Sequence, residues 1–231
     1  MNVQFEKLKL KCKKGEYEIT FSPQISVFHG QISAGKSTIV RLIDYCLGGS
    51  LERTPAVNQE LIAVDLYVNF GLTRVVFSRE IEELNRVQVT WTESKDDIRN
   101  LSAPIQSSRR GDPIYDEDVY TISDLILYFL NIPRIKVHIS KRVYDPRLAA
   151  LSFRDIMWYC YLRQDYLDSS FFRLERPPHM IKSRYVFTYI LGIYSEKLNE
   201  LEQEFSIIGK ENGLNWYWRI GERILYFYNA K

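Results

Sequence analysis

The stretch FHGQISAGKSTIVRLIDYCLGG, residues 28–49, decides the fold of this chain. Its segment 30–37 satisfies G-x-x-x-x-G-K-[ST], a pattern in which glycines let successive backbone N–H groups point at phosphate oxygens. The apolar run ISVF at 25–28 comes before the loop and predicts a buried central strand. An amphipathic helix is predicted over about 36–47, and the glycine pair 48–49 would end it. Strand, loop and helix together predict a site for nucleotide phosphates.

The residues of this loop have predicted roles in binding nucleotide phosphates and Mg²⁺. Lys36 would reach the β- and γ-phosphates and take part in catalysis, the Ser37 hydroxyl would ligate Mg²⁺, and Thr38 would touch the α-phosphate. The helix that starts at Lys36 would add the positive end of its dipole. The predicted cofactor-binding set is Gly30, Gln31, Ile32, Ser33, Ala34, Gly35, Lys36, Ser37 and Thr38.

Length and composition limit the class of protein. The chain has 231 residues, of which 45% are hydrophobic and 26% charged, and its formal net charge is +2. These values are typical of a globular protein, and the net charge does not require nucleic acid or a membrane as a partner. No apolar run approaches the ~18 residues that cross a bilayer, and the N-terminus lacks the apolar core of a signal peptide. We therefore expect a cytoplasmic protein that has no membrane partner.

The cysteines and histidines are scattered along the chain. They form no C-x-x-C pair, which fits a reducing compartment and argues against a structural zinc site. The residues concerned are Cys12, Cys46, Cys160, His29, His138 and His179.

The remaining sequence predicts an antiparallel meander followed by helices. Period-two alternation over 3–10 and 16–21 predicts a hairpin, and three further alternating segments lie between about 61 and 92. The polar stretch 94–120 is expected to be an excursion or flexible insert. Helices are predicted over 122–132, from Ser152, and from near Pro177, the last continuing into the tail.

A heptad pattern follows in the last of these helices. Six residues recur at a 3-4-3-4-3 spacing, which predicts that a coiled coil starts over 191–208, after a head domain over 1–190. Residues 209–231 are aromatic without heptad order and are expected to form an irregular tail. The seam residues are Leu191, Tyr194, Leu198, Leu201, Phe205 and Ile208.

The order hairpin, strand, phosphate loop, helix ending in LIDYCLGG and β-meander resembles the N-terminal half of the ATPase heads of SMC-like proteins. These include the SbcC-type and RecN-type DNA-repair ATPases, and the IDYCLGG form looks closest to SMC-like ATPases of bacterial defence systems such as the Lamassu type. Ile32 and Ser33 stand where Asn-Gly is usual in the family. The resemblance implies an α/β P-loop NTPase fold, the N-terminal lobe of an ABC/SMC-like head, with ATP and Mg²⁺ as cofactors and DNA as a partner of the complete assembly.

The resemblance also assigns two residues outside the loop. YLRQDYLDSS (161–170) looks like the family's Q-loop, which implies that Gln164 reaches Mg²⁺ or the attacking water and acts as a metal ligand and catalytic residue. Arg53 lies where such heads often carry an arginine that senses DNA or nucleotide, and a solvated loop arginine is the alternative. A basic cluster at the first hairpin suits phosphate contact, although charge patterning favours a solvated turn. The cluster is Lys9, Lys11, Lys13 and Lys14.

Two elements that such heads need for hydrolysis have only partial matches here. LGGS (47–50) has the composition of a signature motif but ends the loop helix, and LIAVD (61–65) resembles a Walker B strand but alternates like a meander strand. The resemblance implies a second ATPase lobe, in cis or in trans, that supplies both motifs. We therefore expect this chain to bind ATP and Mg²⁺, as a fragment or truncated product, and not to hydrolyse ATP alone.

Two other functions remain open at this point. A self-contained P-loop kinase or GTPase would share the loop, although no Asn-Lys-x-Asp element that reads guanine is present and the heptads would have no role. A non-catalytic, nucleotide-dependent module that pairs with a separate second-lobe chain is the third possibility, since the heptads could bind a partner helix. A nucleotide panel separates the kinase or GTPase, and co-purification of a coiled-coil protein would favour the module.

Overall fold

The structure, a computed structural model, describes residues 3–94, 97–106, 112–139, 148–162 and 177–211. The chain divides into two compact units, which we call unit 1 (residues 1–134 and 152–154) and unit 2 (residues 135–151 and 155–231). Helices and an antiparallel sheet are both present, so the predicted mixed α/β class is confirmed. Within the described ranges, no helix is long and apolar enough to cross a membrane.

Unit 1 is built on a six-stranded antiparallel sheet. The predicted hairpin and meander are confirmed, and the strand order is β2-β1-β3-β4-β5-β6. One face of the sheet is buried along its central strands and forms the core of the unit, with Leu8, Leu66 and Phe77 side by side across three strands. The strands are β1 Val3–Cys12, β2 Gly15–Thr20, β3 Leu61–Phe70, β4 Thr73–Glu80, β5 Arg86–Ser94 and β6 Asp97–Pro104.

The opposite face of the sheet carries ion pairs. Lys9 contacts Glu16 across the hairpin at 2.6 Å, and Lys11 contacts the buried carboxylate of Asp65 on β3 at 2.8 Å. Lys14 pairs with Glu60 at 2.8 Å. These acidic partners neutralise most of the basic cluster, which favours the solvated hairpin over a phosphate contact. Asp65 belongs to an antiparallel meander strand and is held by Lys11.

The prediction of a polar excursion over 94–120 is wrong in its first part, because residues 97–104 form the edge strand β6. Leu101 lies opposite the buried Val89, whereas the polar Asn100 lies opposite Thr90. An edge strand with one face in water needs few apolar residues, so its composition reads as that of a loop.

Three helices accompany the sheet in unit 1. They are α1 Lys36–Cys46, α2 Pro55–Glu60 and α3 Ile122–Phe129. The first was predicted, and Gly48 ends it with a positive φ of 88°. The second was not, although the Thr54 side chain caps it and Pro55 occupies its first turn. The third begins with a capping box between Thr121 and Asp124 and ends earlier than predicted.

Unit 2 contains a short hairpin and helical segments around a small core of Ile135, Val137, Leu151 and Val186. The predicted continuous helix from Pro177 is wrong, because the left-handed Gly192 (φ 70°) lies in a break between two helices. The elements are β7 Lys136–His138, β8 Leu148–Ala150, α4 Phe153–Cys160, whose first two residues belong to unit 1, α5 Pro177–Ile190 and α6 Glu196–Glu211.

The predicted seam residues divide around this break. Leu191 lies in the break and Tyr194 packs against the core of unit 2, whereas Leu198 and Leu201 are exposed on α6. A coiled coil over 191–208 stays a prediction, and residues 212–231 of the predicted tail lie outside the described residues.

The C-terminal end of α1 is held by a buried arginine. Arg79 of β4 is 4% exposed, and its guanidinium donates to the carbonyl oxygens of Tyr45 (2.6 Å), Gly49 (2.7 Å) and Leu84 (2.5 Å). The same guanidinium lies 3.6 Å from the centroid of the Tyr45 ring, a cation–π contact. These contacts fix one end of α1 on the sheet and thereby its orientation.

We expect Arg79→Met to lower the free energy of unfolding by about 2–4 kcal/mol, because it removes three donors from buried carbonyls and the cation from the Tyr45 ring. Urea denaturation measures the change. Arg99→Met, on the exposed edge strand β6, is the control and should change stability by less than about 0.5 kcal/mol. Equal effects of the two substitutions would contradict this account of Arg79.

Candidate nucleotide-binding site

The segment that leads into the phosphate loop is not a strand. The prediction of a buried strand over 25–28 is wrong, since Ile25 and Val27 are 77% and 79% exposed. In the part of the chain that the structure describes, no backbone hydrogen bond joins residues 25–29 to another backbone group. Phe28 attaches the segment to the hairpin through an edge-to-face contact with Phe21, with 6.2 Å between ring centroids. The run has the composition of a central strand, but none of the described strands lies beside it.

The loop itself adopts a conformation that depends on its glycines. Gly30 has φ 152° and Gly35 has φ 84°, the latter in the left-handed region at the N-cap of α1. The backbone N–H of Ile39 donates to the Gly35 carbonyl at 3.1 Å and begins the helix. Ser33 also has a positive φ, 67°, which explains why glycine is usual at this position of the motif.

The N-terminus of α1 is free to attract an anion. No side chain in the described part of the chain caps it, and its first turn contains no acidic residue, so the positive end of the helix dipole is not neutralised locally. Ser37 is exposed and Thr38 is half-buried in this first turn. The structure thus brings together the whole predicted set from Gly30 to Thr38 at one helix end.

The Lys36 amine folds back over the loop. Its Nζ donates to the carbonyl oxygens of Gly30 at 2.9 Å and Gln31 at 2.6 Å. A cation held over the concave side of a glycine-rich loop suits a ligand with several negative oxygens. The residues present therefore fit a nucleotide triphosphate, and the Ser37 hydroxyl suits the oxygen preference of Mg²⁺.

Of the two other predicted site residues, Arg53 alone is among those that the structure describes. Arg53 lies in the loop between α1 and α2, and its Nη2 donates to the carbonyl oxygen of Ile81. Its role towards DNA stays a prediction. Gln164 lies outside the described residues, so its Q-loop role also stays a prediction. Across the described ranges, no three His, Cys, Asp or Glu side chains come together in a metal-binding group.

Sequence reasoning missed the charged residues at the far end of α1. Arg79 occupies an inward position of β4, where Val75 and Phe77 precede it at period two. An arginine at a position where the alternation predicts an apolar residue was the sequence signal that could have identified this contact. Asp44 and Arg154, which form an ion pair at 2.6 Å, are 110 positions apart, and no local pattern connects them.

A phosphate loop at the uncapped N-terminus of a helix that packs on a sheet defines a P-loop nucleotide-binding lobe. A family model described as an AAA domain matches residues 10–212. The chain belongs to this family of P-loop ATPases, which is found in SMC/SbcC-like proteins and typically uses ATP and Mg²⁺. Comparisons with curated proteins and with solved structures gave no match.

The left-handed conformation of Ser33 is testable. Ser33→Gly should leave ATP affinity unchanged or slightly higher, because glycine adopts a positive φ freely. Ser33→Val should weaken ATP binding by about tenfold, because a β-branched residue in this region costs about 1–2 kcal/mol. Titration with a fluorescent ATP analogue measures both affinities. Equal binding by the valine and glycine variants would show that the loop binds ATP in another conformation.

Proposed function

We propose that the chain is the ATP-binding N-terminal lobe of an SMC-like, DNA-associated ATPase of the DNA-repair or anti-phage defence type. The observation that carries the proposal is the loop from Gly30 to Thr38, with its Lys36 amine over the loop carbonyls and the uncapped helix end behind it. The family match supports the ATPase class, and the LIDYCLGG helix end and the order of elements support the SMC-like type.

Within this lobe the chain's own residues bind and orient the phosphates. Lys36 would exchange its two carbonyl partners for β- and γ-phosphate oxygens, and the loop amides and the α1 dipole would hold the same charges from the other side. Mg²⁺, when bound, would neutralise charge on the phosphates, with Ser37 as its protein ligand. Gln164 is the proposed residue that reaches Mg²⁺ or the attacking water.

A second lobe, in cis or in trans, would complete the site. Within the described ranges, residues 25–29 carry exposed apolar side chains and make no backbone–backbone hydrogen bond, directly before the loop. Strands from another lobe could pair with this segment and cover Ile25 and Val27. Hydrolysis also needs a carboxylate and donors over the γ-phosphate, and we propose that these come with the second lobe.

Substitution of the loop lysine tests nucleotide binding. Lys36→Ala should weaken ATP binding by about 30- to 100-fold, because a charge-assisted contact is worth about 2–3 kcal/mol. Isothermal titration calorimetry in the presence of Mg²⁺ measures the loss. Lys14→Ala, at the hairpin, is the control and should bind ATP like the wild type. Unchanged affinity in the Lys36 variant would overturn the proposed function.

Substitution in the exposed segment tests the docking surface. Val27→Asp should leave the free energy of unfolding within about 0.5 kcal/mol of the wild type and ATP affinity within about twofold, because the described residues leave Val27 79% exposed. Val68→Asp is the matched control: Val68 is fully buried on β3, and this variant should not fold. Strong destabilisation by Val27→Asp would show that the chain covers this segment itself and would remove the argument for a second lobe at this surface.

A further inference from the structure

The helix-end motif LIDYCLGG takes no part in phosphate binding, yet one of its residues makes a long-range ion pair. Asp44, in the last turn of α1, is 8% exposed. Its Oδ1 accepts a hydrogen bond from Arg154 Nη1 at 2.6 Å, and its Oδ2 accepts one from Nη2 at 3.3 Å. Arg154 lies in the first turn of α4, and both residues belong to unit 1.

Neither charge is favourable within its own helix. A carboxylate near a helix C-terminus and a guanidinium near a helix N-terminus both oppose the helix dipole. Asp44 and Arg154 occupy these two unfavourable positions, so local helix propensity does not explain them. The bidentate ion pair that they form with each other explains their presence, because a buried carboxylate needs a partner of opposite charge.

The absence of a side chain at Gly49 leaves space for the Asp44 carboxylate. A Cβ at position 49 would lie 2.2 Å from Asp44 Oδ2, a distance that no side chain tolerates. Gly49 has an ordinary φ, so the need for glycine there is steric. The aspartate and the second glycine of the motif thus serve one arrangement, in which Asp44 folds back over Gly49 and reaches Arg154.

We propose that Asp44 and Arg154 are positioning residues that connect nucleotide binding at the phosphate loop to helix α4. This proposal rests on the proposed ATP site. Helix α1 is a single rigid element with the loop at its N-terminus and the Asp44–Arg154 pair at its C-terminal turn. When Lys36 leaves the loop carbonyls for phosphate, a change in the mobility of α1 about the end that Arg79 holds would reach Arg154 through Asp44. Helix α4 would receive that change in its first turn, where Arg154 lies.

Hydrogen exchange of the whole chain, with and without ATP and Mg²⁺, tests this connection. In the wild type we expect ATP to slow exchange both in peptides covering 30–38 and in peptides covering 153–160. The Asp44→Asn, Arg154→Met double variant removes both charges together, so neither is left buried without a partner. It should keep the ATP response of the loop and lose at least about four-fifths of the response in α4.

A matched variant and a conservative variant complete the experiment. Glu52→Gln removes the Arg41–Glu52 pair (3.1 Å), which involves α1 but not α4, and should keep both responses. Arg154→Lys keeps the charge but not the two-pronged contact and should keep only part of the α4 response. Rapid exchange of β3 and β4 in the double variant without ATP would indicate that this variant is unfolded. In that case Arg154→Lys is used in its place.

The outcomes separate the two proposals. A full α4 response in the charge-free double variant, or in Arg154→Lys where that variant replaces it, would overturn the connection. An ATP response of the wild type that is confined to residues 30–38 would overturn the connection as well. A wild type that shows no ATP response at 30–38 would overturn the proposed function itself, whatever α4 does.

Discussion

The arrangement of unit 1 depends on the contacts between Arg79 and the C-terminal end of α1. A buried guanidinium usually faces a carboxylate, but here its neighbours are three carbonyl oxygens and the face of the Tyr45 ring. Burial lowers the pKa of Arg79, and it raises the pKa of the Tyr45 hydroxyl, which donates to the Glu80 carbonyl. The carbonyls at a helix C-terminus carry partial negative charge, so they can stabilise a cation without a formal anion. A helix held in this way can present a strained loop at its other end.

The loop contrasts with this anchored end. Residues 30–34 are exposed, and Ser33 and Gly35 adopt left-handed conformations. The loop is closed by the two bonds of Lys36 and by the Ala34 N–H, which donates to the Gln31 carbonyl at 3.3 Å. Binding sites commonly combine a rigid support with backbone that stores strain at the point of contact. In this chain the division follows a single helix, with the rigid contacts at its C-terminal turn and the ligand-facing groups at its N-terminal turn.

The elements that the sequence predicts well are those that local patterns determine. Alternation identified the hairpin and the strands of the meander, and the loop motif with its flanking glycines identified α1. The failures have non-local causes. Residues 25–28 have the composition of a strand, but a strand also needs neighbours, which composition does not supply. The break at Gly192 interrupts a heptad pattern that continues across it, and the contacts of Arg79 and Arg154 with α1 join residues distant in sequence.

The open segment before the loop also bears on how this protein is handled in a cell. QISVFH, residues 24–29, has no formal charge and high β-propensity, a composition typical of segments that assemble into cross-β structure. Pro23 precedes it and Gly30 follows it, and both discourage extension of strand pairing beyond the segment. An uncovered copy can still pair edge to edge with another copy. Synthesis of this chain in balance with whatever covers the segment would therefore limit aggregation, and surplus chains would be natural clients of chaperones and proteases.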